Sequence, residues 1–168
     1  MGFLYLGVDM KLKKQEKLLL KGRAKLIVTD PKTGKVIKII ESKNLIVTVG
    51  KQYVADMLID KDAAHDVGLT HQAIGTSATA PALNDTQLGA EAARKALTSK
   101  SRVGIEITLS TFFTAAESSY NIKEAGVFGH ASASLTANTG KLLSRWLVSY
   151  DNSAGNYDLT FDWIGTIG

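Results

Sequence analysis

The stretch LLSRWLVSYDNSAGNYDLTFDWI, residues 142–164, decides the fold class. Its last eight residues alternate between apolar and polar side chains, with Tyr157, Leu159, Phe161 and Trp163 on one face and Asp158, Thr160 and Asp162 on the other. A period of two predicts a β-strand with one buried and one solvated face. Because residues 151–156 are rich in turn-forming types, we expect 142–150 and 157–164 to form a hairpin that closes the domain.

Similar patterns occur earlier in the chain. Residues 22–43 contain two strand-like runs around Asp30-Pro31-Lys32-Thr33-Gly34, a turn sequence that predicts a first hairpin. Residues 51–60 carry apolar side chains at helical spacing, and this short helix should pack its apolar stripe of Tyr53, Val54, Met57 and Leu58 on the β core. Residues 102–113 predict one long strand and residues 122–128 another, and Asn44–Val47 is a further candidate strand.

These segments predict a mainly β protein, an antiparallel β-sandwich or barrel-like domain with one short α-helix. The expected single domain covers residues 22–168, with the hairpin at 22–43, the helix at 51–60 and the main β-sheets at 70–168. Residues 1–21 are expected to form an extended N-terminal arm. No stretch is long and apolar enough to predict a membrane span.

Charge is distributed unevenly along the chain. Residues 1–38 hold ten basic and three acidic residues, whereas the rest of the chain holds ten basic and thirteen acidic residues. A basic end on a mildly acidic body predicts an arm that is attracted to a negatively charged target. The candidate partner-binding residues are the aromatic and basic residues of the arm, namely Phe3, Tyr5, Lys11, Lys13, Lys14 and Lys17. A solvated lysine-rich linker is the alternative interpretation of this segment.

Motifs of catalysis are missing from the sequence. There are no cysteines, which excludes a disulfide framework and thiolate chemistry. Gly75-Thr76-Ser77 lacks the ending of a phosphate-binding loop. His65, His71 and His130 have no metal-ligand spacing among themselves. We therefore expect no enzymatic activity, no cofactor and no metal site. The aromatic residues of 142–164 are expected in the core, with a glycan-binding surface as the alternative.

Four stretches together resemble one known family. They are NLIVTVGKQYVADML from residue 44, HQAIGTSATAPALNDTQLGAEAARKALTS from residue 71, IKEAGVFG from residue 122, and KLLSRWLV with DLTFDWIGTI near the end. This combination resembles small virion structural proteins of tailed bacteriophages, often labelled tail-fibre, minor structural or decoration proteins. The matching motif residues that we expect to have structural roles are Gly75, Pro81, Asp85, Arg94, Glu124 and Gly126.

The resemblance implies a strand at residues 91–99, although their composition favours a helix. It also implies a non-enzymatic component of the virion. Its partners would be other virion proteins, either the major capsid protein or tail components. We expect a capsid decoration protein that attaches through the arm and first hairpin and forms a homo-oligomer such as a trimer. A tail-fibre or baseplate adaptor and a host-receptor or glycan-binding module are the alternatives, and nucleic acid is a less favoured partner.

Two charged motif residues, Arg94 and Glu124, lie in small or apolar surroundings. We expect them to form an ion pair or to cap backbone groups, and so to lock the segment 71–99 to later strands. Two separate surface charges are the alternative.

Overall fold

A computed structural model of the protein describes residues 19–168. The six candidate partner-binding residues of the arm lie outside this range. The elements follow the order β1 (Leu20–Thr29), β2 (Val36–Ile46), α1 (Thr48–Leu58), β3 (Leu69–Gly75), β4 (Glu91–Ala96), β5 (Ser99–Val103), β6 (Glu106–Phe113), β7 (Asn121–Gly129), β8 (Lys141–Asp151) and β9 (Asp158–Ile167). The expected mainly β fold with one short helix is confirmed.

The nine strands of residues 19–168 belong to one antiparallel sheet with the order β4-β3-β7-β8-β2-β1-β9-β6-β5. The two edge strands, β4 and β5, are joined by Leu97 and Thr98 alone. This short link brings the edges together, because the Leu97 amide donates to the Thr70 carbonyl in β3 and the Thr98 amide to the Ser110 carbonyl in β6. The sheet therefore curls into a barrel-like shell around its core.

The first hairpin, which is the β1–β2 pair, is confirmed, and so is the strand within residues 91–99. The predicted hairpin of residues 142–164 is wrong. Both of its strands exist, but β8 pairs with β7 and β2, whereas β9 pairs with β1 and β6. The alternation predicted the strands correctly, but pairing depends on which edges the rest of the sheet leaves open.

The predicted strand at 102–113 is also wrong, because the chain reverses within it. Gly104 has a positive φ of 57°, which a glycine adopts without steric cost, and β5 and β6 form a hairpin around it. The alternation of Val103, Ile105 and Ile107 continues across the turn, so the pattern conceals it. Val103 and Ile105 are 80% and 62% exposed at the tip of this hairpin.

Helix α1 begins at Thr48, three residues before the predicted start, and Asn44–Ile46 is the end of β2 instead of a separate strand. Gly50 lies against β8, where a Cβ atom would come within 2.3 Å of the Leu143 carbonyl oxygen. The predicted apolar stripe packs only in part. Tyr53 is buried, but Leu58 is 70% exposed.

The core lies inside the curl and contains the aromatic residues of the opening stretch. Trp146, Phe161 and Trp163 are buried, so their predicted place in the core is confirmed. A glycan-binding surface based on Trp146 would therefore lack an exposed aromatic ring.

The boundary between arm and domain was predicted between residues 21 and 22. β1 begins at Leu20, which pairs with Ile167, so this boundary falls inside a strand.

Candidate functional site

The first hairpin has an edge that is available to a partner. β2 pairs with β8 only through Asn44–Ile46, so within the described chain the outer edge of residues 36–43 has no strand beside it. We call these eight residues the free edge. An open cleft of about 430 Å³, lined by Ser42, Lys123 and Leu147 among others, separates it from β8. Unpaired backbone N–H and C=O groups of this kind are a template for another strand.

The free edge is apolar and basic. Val36, Ile37 and Ile39 are 49%, 49% and 55% exposed. The exposed lysines of the hairpin turn and of the free edge are Lys32, Lys35, Lys38 and Lys43. Residues 31–39 are all exposed, so the hairpin tip extends beyond the body of the sheet. Lysines on an edge strand oppose pairing with another basic edge and favour an acidic one.

Glu124 on β7 is fully buried and organises the loop between β3 and β4. Its Oε1 atom accepts hydrogen bonds from the amides of Ser77 and Ala90 at 3.3 and 2.7 Å, and its Oε2 atom accepts from the Gly89 amide at 3.0 Å. The carboxylate therefore caps three backbone groups of one loop. This confirms the expectation that Glu124 locks the segment 71–99 to a later strand.

The ion-pair partner of Glu124 is Arg145 on β8. The Arg145 Nε atom donates to Glu124 Oε2 at 2.7 Å, Nη1 donates to Asp85 Oδ2 at 2.7 Å, and Nη2 donates to the Thr79 carbonyl at 2.9 Å. Burial lowers the pKa of Arg145, but its hydrogen bonds with Asp85 and Glu124 outweigh burial and raise it. We call Glu124, Arg145 and Asp85 the loop-anchor network.

Arg94 does not pair with Glu124, so the proposed ion pair between them is wrong, and the alternative of two surface charges is wrong as well. Arg94 donates from Nε and Nη2 to the two oxygens of Glu91, at 2.7 and 2.8 Å, and from Nη1 to the Thr139 carbonyl at 2.7 Å. Its guanidinium also lies 4.0 Å from the centre of the Phe128 ring. Arg94 thus fastens the loop of residues 130–140 to β4.

The predicted structural glycines lie where side chains have no room. A Cβ on Gly75 would come within 2.5 Å of the Ala90 carbonyl oxygen and 2.6 Å of Glu124 Oε1. A Cβ on Gly126 would come within 2.9 Å of a Leu88 methyl group. Pro81 is half-buried in the loop between β3 and β4. Gly75 thereby allows the loop-anchor network to form.

A second polar cluster joins residues that are far apart in the sequence. Ligand atoms of Asp62, His65 and His130 all lie within 4.8 Å of one another, and the two imidazole centres are 4.8 Å apart. We call these three residues the histidine cluster. Beside it, a cavity of about 380 Å³ is lined by residues that include Tyr53, His65 and Lys141. His71 is not in the cluster and lies on β3.

Two side chains of the histidine cluster, Asp62 and His130, have neighbours that lower their pKa values. The hydrogen bond from His65 Nδ1, at 2.8 Å, holds the pKa of Asp62 below its usual range. Burial, together with the neighbouring His65 and Lys141 side chains, lowers the pKa of His130. At neutral pH the Asp62 carboxylate is therefore ionised and the His130 imidazole is neutral.

An apolar groove lies at the root of the arm, between α1 and the strands. Leu20, Met57, Leu58 and Trp163 contribute to its lining, and its volume is about 310 Å³. Its position explains why the end of the helical stripe is exposed. No helix among residues 19–168 is long and apolar enough to cross a membrane.

Sequence reasoning missed Arg145 and the histidine cluster. An arginine inside the apolar run of residues 142–148 signals a buried ion pair, because a buried guanidinium needs a partner. The histidine cluster had no signal of this kind, since its two histidines are 65 positions apart and only the fold brings them together.

Comparison of the chain with protein-family models, with curated proteins and with solved structures returned no match. The resemblance to virion structural proteins therefore depends on the motif residues of the sequence alone and stays a prediction.

Proposed function

We propose that the protein is a non-enzymatic structural component of a tailed-phage particle, a capsid decoration protein that attaches to a neighbouring virion subunit through its first hairpin and its arm. The observation that carries the proposal is the free edge of β2, which combines unpaired backbone groups with exposed Val36, Ile37 and Ile39. Strand addition uses such an edge, since main-chain hydrogen bonds supply affinity and side chains supply specificity.

The occupant we propose for the free edge is an extended acidic segment of the neighbouring virion protein. The hairpin turn and the free edge carry Lys32, Lys35, Lys38 and Lys43 against Asp30 and Glu41. The arm of a second copy, with Lys11, Lys13, Lys14 and Lys17, would bring like charges together. An acidic segment would instead be attracted, and attraction between opposite charges accelerates docking.

The arm is the second attachment element in this proposal. It joins the domain at Leu20, the first residue of β1, at the end of the first hairpin opposite its turn. Arg23 on β1 pairs with Lys43, so this end of β1 lies beside the Lys43 end of the free edge. Two weak contacts on one protein raise the overall affinity, because binding of the first increases the local concentration of the second. Homo-oligomerisation would multiply these contacts further.

The test uses phage particles produced without this protein and incubated with the purified chain. Ile39→Asp places a carboxylate on the free edge, and we expect binding to weaken by about tenfold or more. Val103→Asp is the matched control, since Val103 is exposed at the tip of the other hairpin, and we expect its binding to change less than about twofold.

Imaging of the same particles locates the protein. Density on the capsid supports a decoration protein, and density on the tail would replace this proposal with the adaptor. Deletion of residues 1–18 removes the arm and leaves β1 intact. If particles bind neither the full chain nor the truncated chain, or bind the Ile39→Asp variant unchanged, the proposal is wrong.

A further inference from the structure

We propose that Asp62, His65 and His130 form a binding site for one divalent transition-metal ion of the zinc type. The inference concerns a part of the molecule other than the free edge and does not depend on the virion role. Zinc bonds to imidazole nitrogen and carboxylate oxygen are about 2.1 Å long, so two ligand atoms of a tetrahedral zinc lie about 3.4 Å apart. The ligand atoms of the three side chains lie within 4.8 Å of one another. Their separations would change by up to about 1.4 Å to reach this geometry.

His65 has the surroundings of a metal-bound imidazole. Its Nδ1 atom lies 2.8 Å from Asp62 Oδ1, and its Nε2 atom lies 3.3 Å from Asp56 Oδ2. A neutral imidazole has one N–H, so it can donate to only one of these carboxylates. A metal between Nδ1 and Asp62 resolves the conflict, because the N–H on Nε2 then points to Asp56. Metal-bound histidines commonly donate their second N–H to a carboxylate in this way.

His130 offers its Nε2 atom. The Nδ1 atom of this ring accepts a hydrogen bond from the Ser132 amide at 3.1 Å and lies 2.8 Å from the Ser132 hydroxyl. The neutral ring of the metal-free chain therefore carries its proton on Nε2, and metal binding at Nε2 moves this proton to Nδ1, which then donates to the Ser132 hydroxyl in place of accepting from the amide. The neutral ring is the form that binds a metal.

The backbone that carries the two histidines is held in place before any metal binds. The Tyr53 hydroxyl donates to the Gly68 carbonyl at 3.0 Å and accepts from the His130 amide at 2.8 Å. The Ala131 amide donates to the Ala64 carbonyl at 2.8 Å. Tyr53 is buried, and burial raises the pKa of its hydroxyl, which keeps the proton it donates. Rigid support of this kind is what a metal site requires.

The donor set identifies the class of metal. Two imidazoles and one carboxylate suit Zn²⁺, Co²⁺, Ni²⁺ or Cu²⁺ better than Mg²⁺ or Ca²⁺, which prefer oxygen ligands. Because His65 also lines the cavity of about 380 Å³, a fourth position is open to water or to a small ligand. Asp56 is bound by Lys61 at 3.0 Å and orients His65 without being a ligand. Lys141 lines the same cavity, and its charge opposes the ion.

The test is a titration of the full chain, without a histidine tag, with Zn²⁺ by calorimetry and with Co²⁺ by absorption spectroscopy. We expect one ion per chain and a Co²⁺ ligand-field band. Asp62→Asn and His130→Gln should each weaken binding about tenfold or more. Lys141→Gln should tighten binding, because it removes a repelling charge.

His71→Gln is the matched control, since it removes the histidine that lies outside the cluster, and we expect it to change affinity less than about twofold. Because Asp62 is half-exposed, the Asp62→Asn variant should fold, and its thermal unfolding without metal verifies this. Absence of saturable binding would overturn the proposal. A loss of affinity in His71→Gln equal to that in His130→Gln would overturn it as well.

Discussion

The loop-anchor network and the histidine cluster are both assembled from distant residues, but they differ in how completely their polar atoms are used. Both oxygens of Glu124 accept hydrogen bonds, and Arg145 donates to three acceptors. In the histidine cluster, His130 Nε2 and Asp62 Oδ2 have no hydrogen-bond partner among residues 19–168, and His65 lines an adjoining cavity. A closed cluster stabilises the fold, since any change leaves a buried group without a partner, whereas an open cluster can bind a ligand.

The largest expected effect is on the loop-anchor network, which is the closed cluster. Glu124→Ala removes the acceptor of three backbone amides and one partner of Arg145, and it should lower the free energy of unfolding by about 3–5 kcal/mol. Urea unfolding measures this. Glu117→Gln is the control, because Glu117 forms a more exposed pair with Lys95 and should cost about 0–1 kcal/mol. Equal losses in the two variants would show that Glu124 is not an anchor.

Arg94→Ala should have the next largest effect. It leaves the Glu91 carboxylate, which is nearly inaccessible to solvent, without its bidentate partner, so we expect a loss of about 3 kcal/mol. The Asn138 amide, which donates to Glu91, should also exchange its hydrogen faster. A loss of less than about 0.5 kcal/mol would mean that this pair behaves as a surface pair.

The pH dependence of stability tests a titratable residue outside both clusters, His71. Burial lowers the pKa of His71 from 6.5, and the charges of Arg94 and Lys100 lower it further. The unfolded chain therefore binds a proton more readily than the folded one, and stability should fall as the pH drops below about 6.5. Urea unfolding at pH 7.5 and 5.5 should show a smaller decrease for His71→Gln. An identical decrease would contradict the assignment to His71.

The smallest expected effect tests the open cluster. Without metal, Asp62→Asn should shift the midpoint of thermal unfolding by no more than about 2 °C, since the Asp62 side chain is half-exposed. With saturating Zn²⁺, the natural chain should gain thermal stability and the variant should not. A large loss of stability without metal would show that the histidine cluster stabilises the fold, as the loop-anchor network does.

The sequence by itself determined most of the strands, because the alternation of apolar and polar side chains does not depend on which strand lies beside them. It also indicated several structural residues, since Gly75, Gly126 and Glu124 occupy positions that the resemblance marked. It could not show that Arg94 pairs with Glu91 instead of Glu124. The charged residues lie on three strands, β4, β7 and β8, and the sequence does not show which of their side chains meet.

Apart from the first hairpin, only the tertiary structure decided which strands pair. Residues 142–150 and 157–164 were predicted correctly as strands, yet they do not pair with each other, since β1 and β6 take both edges of β9. The curl of the sheet likewise decided the sites. Among residues 19–168, it left the outer edge of residues 36–43 without a second strand and brought His65 to His130. The local sequence pattern determines which face of a strand is apolar, whereas long-range strand pairing determines which polar groups meet. The candidate sites depend on this long-range pairing.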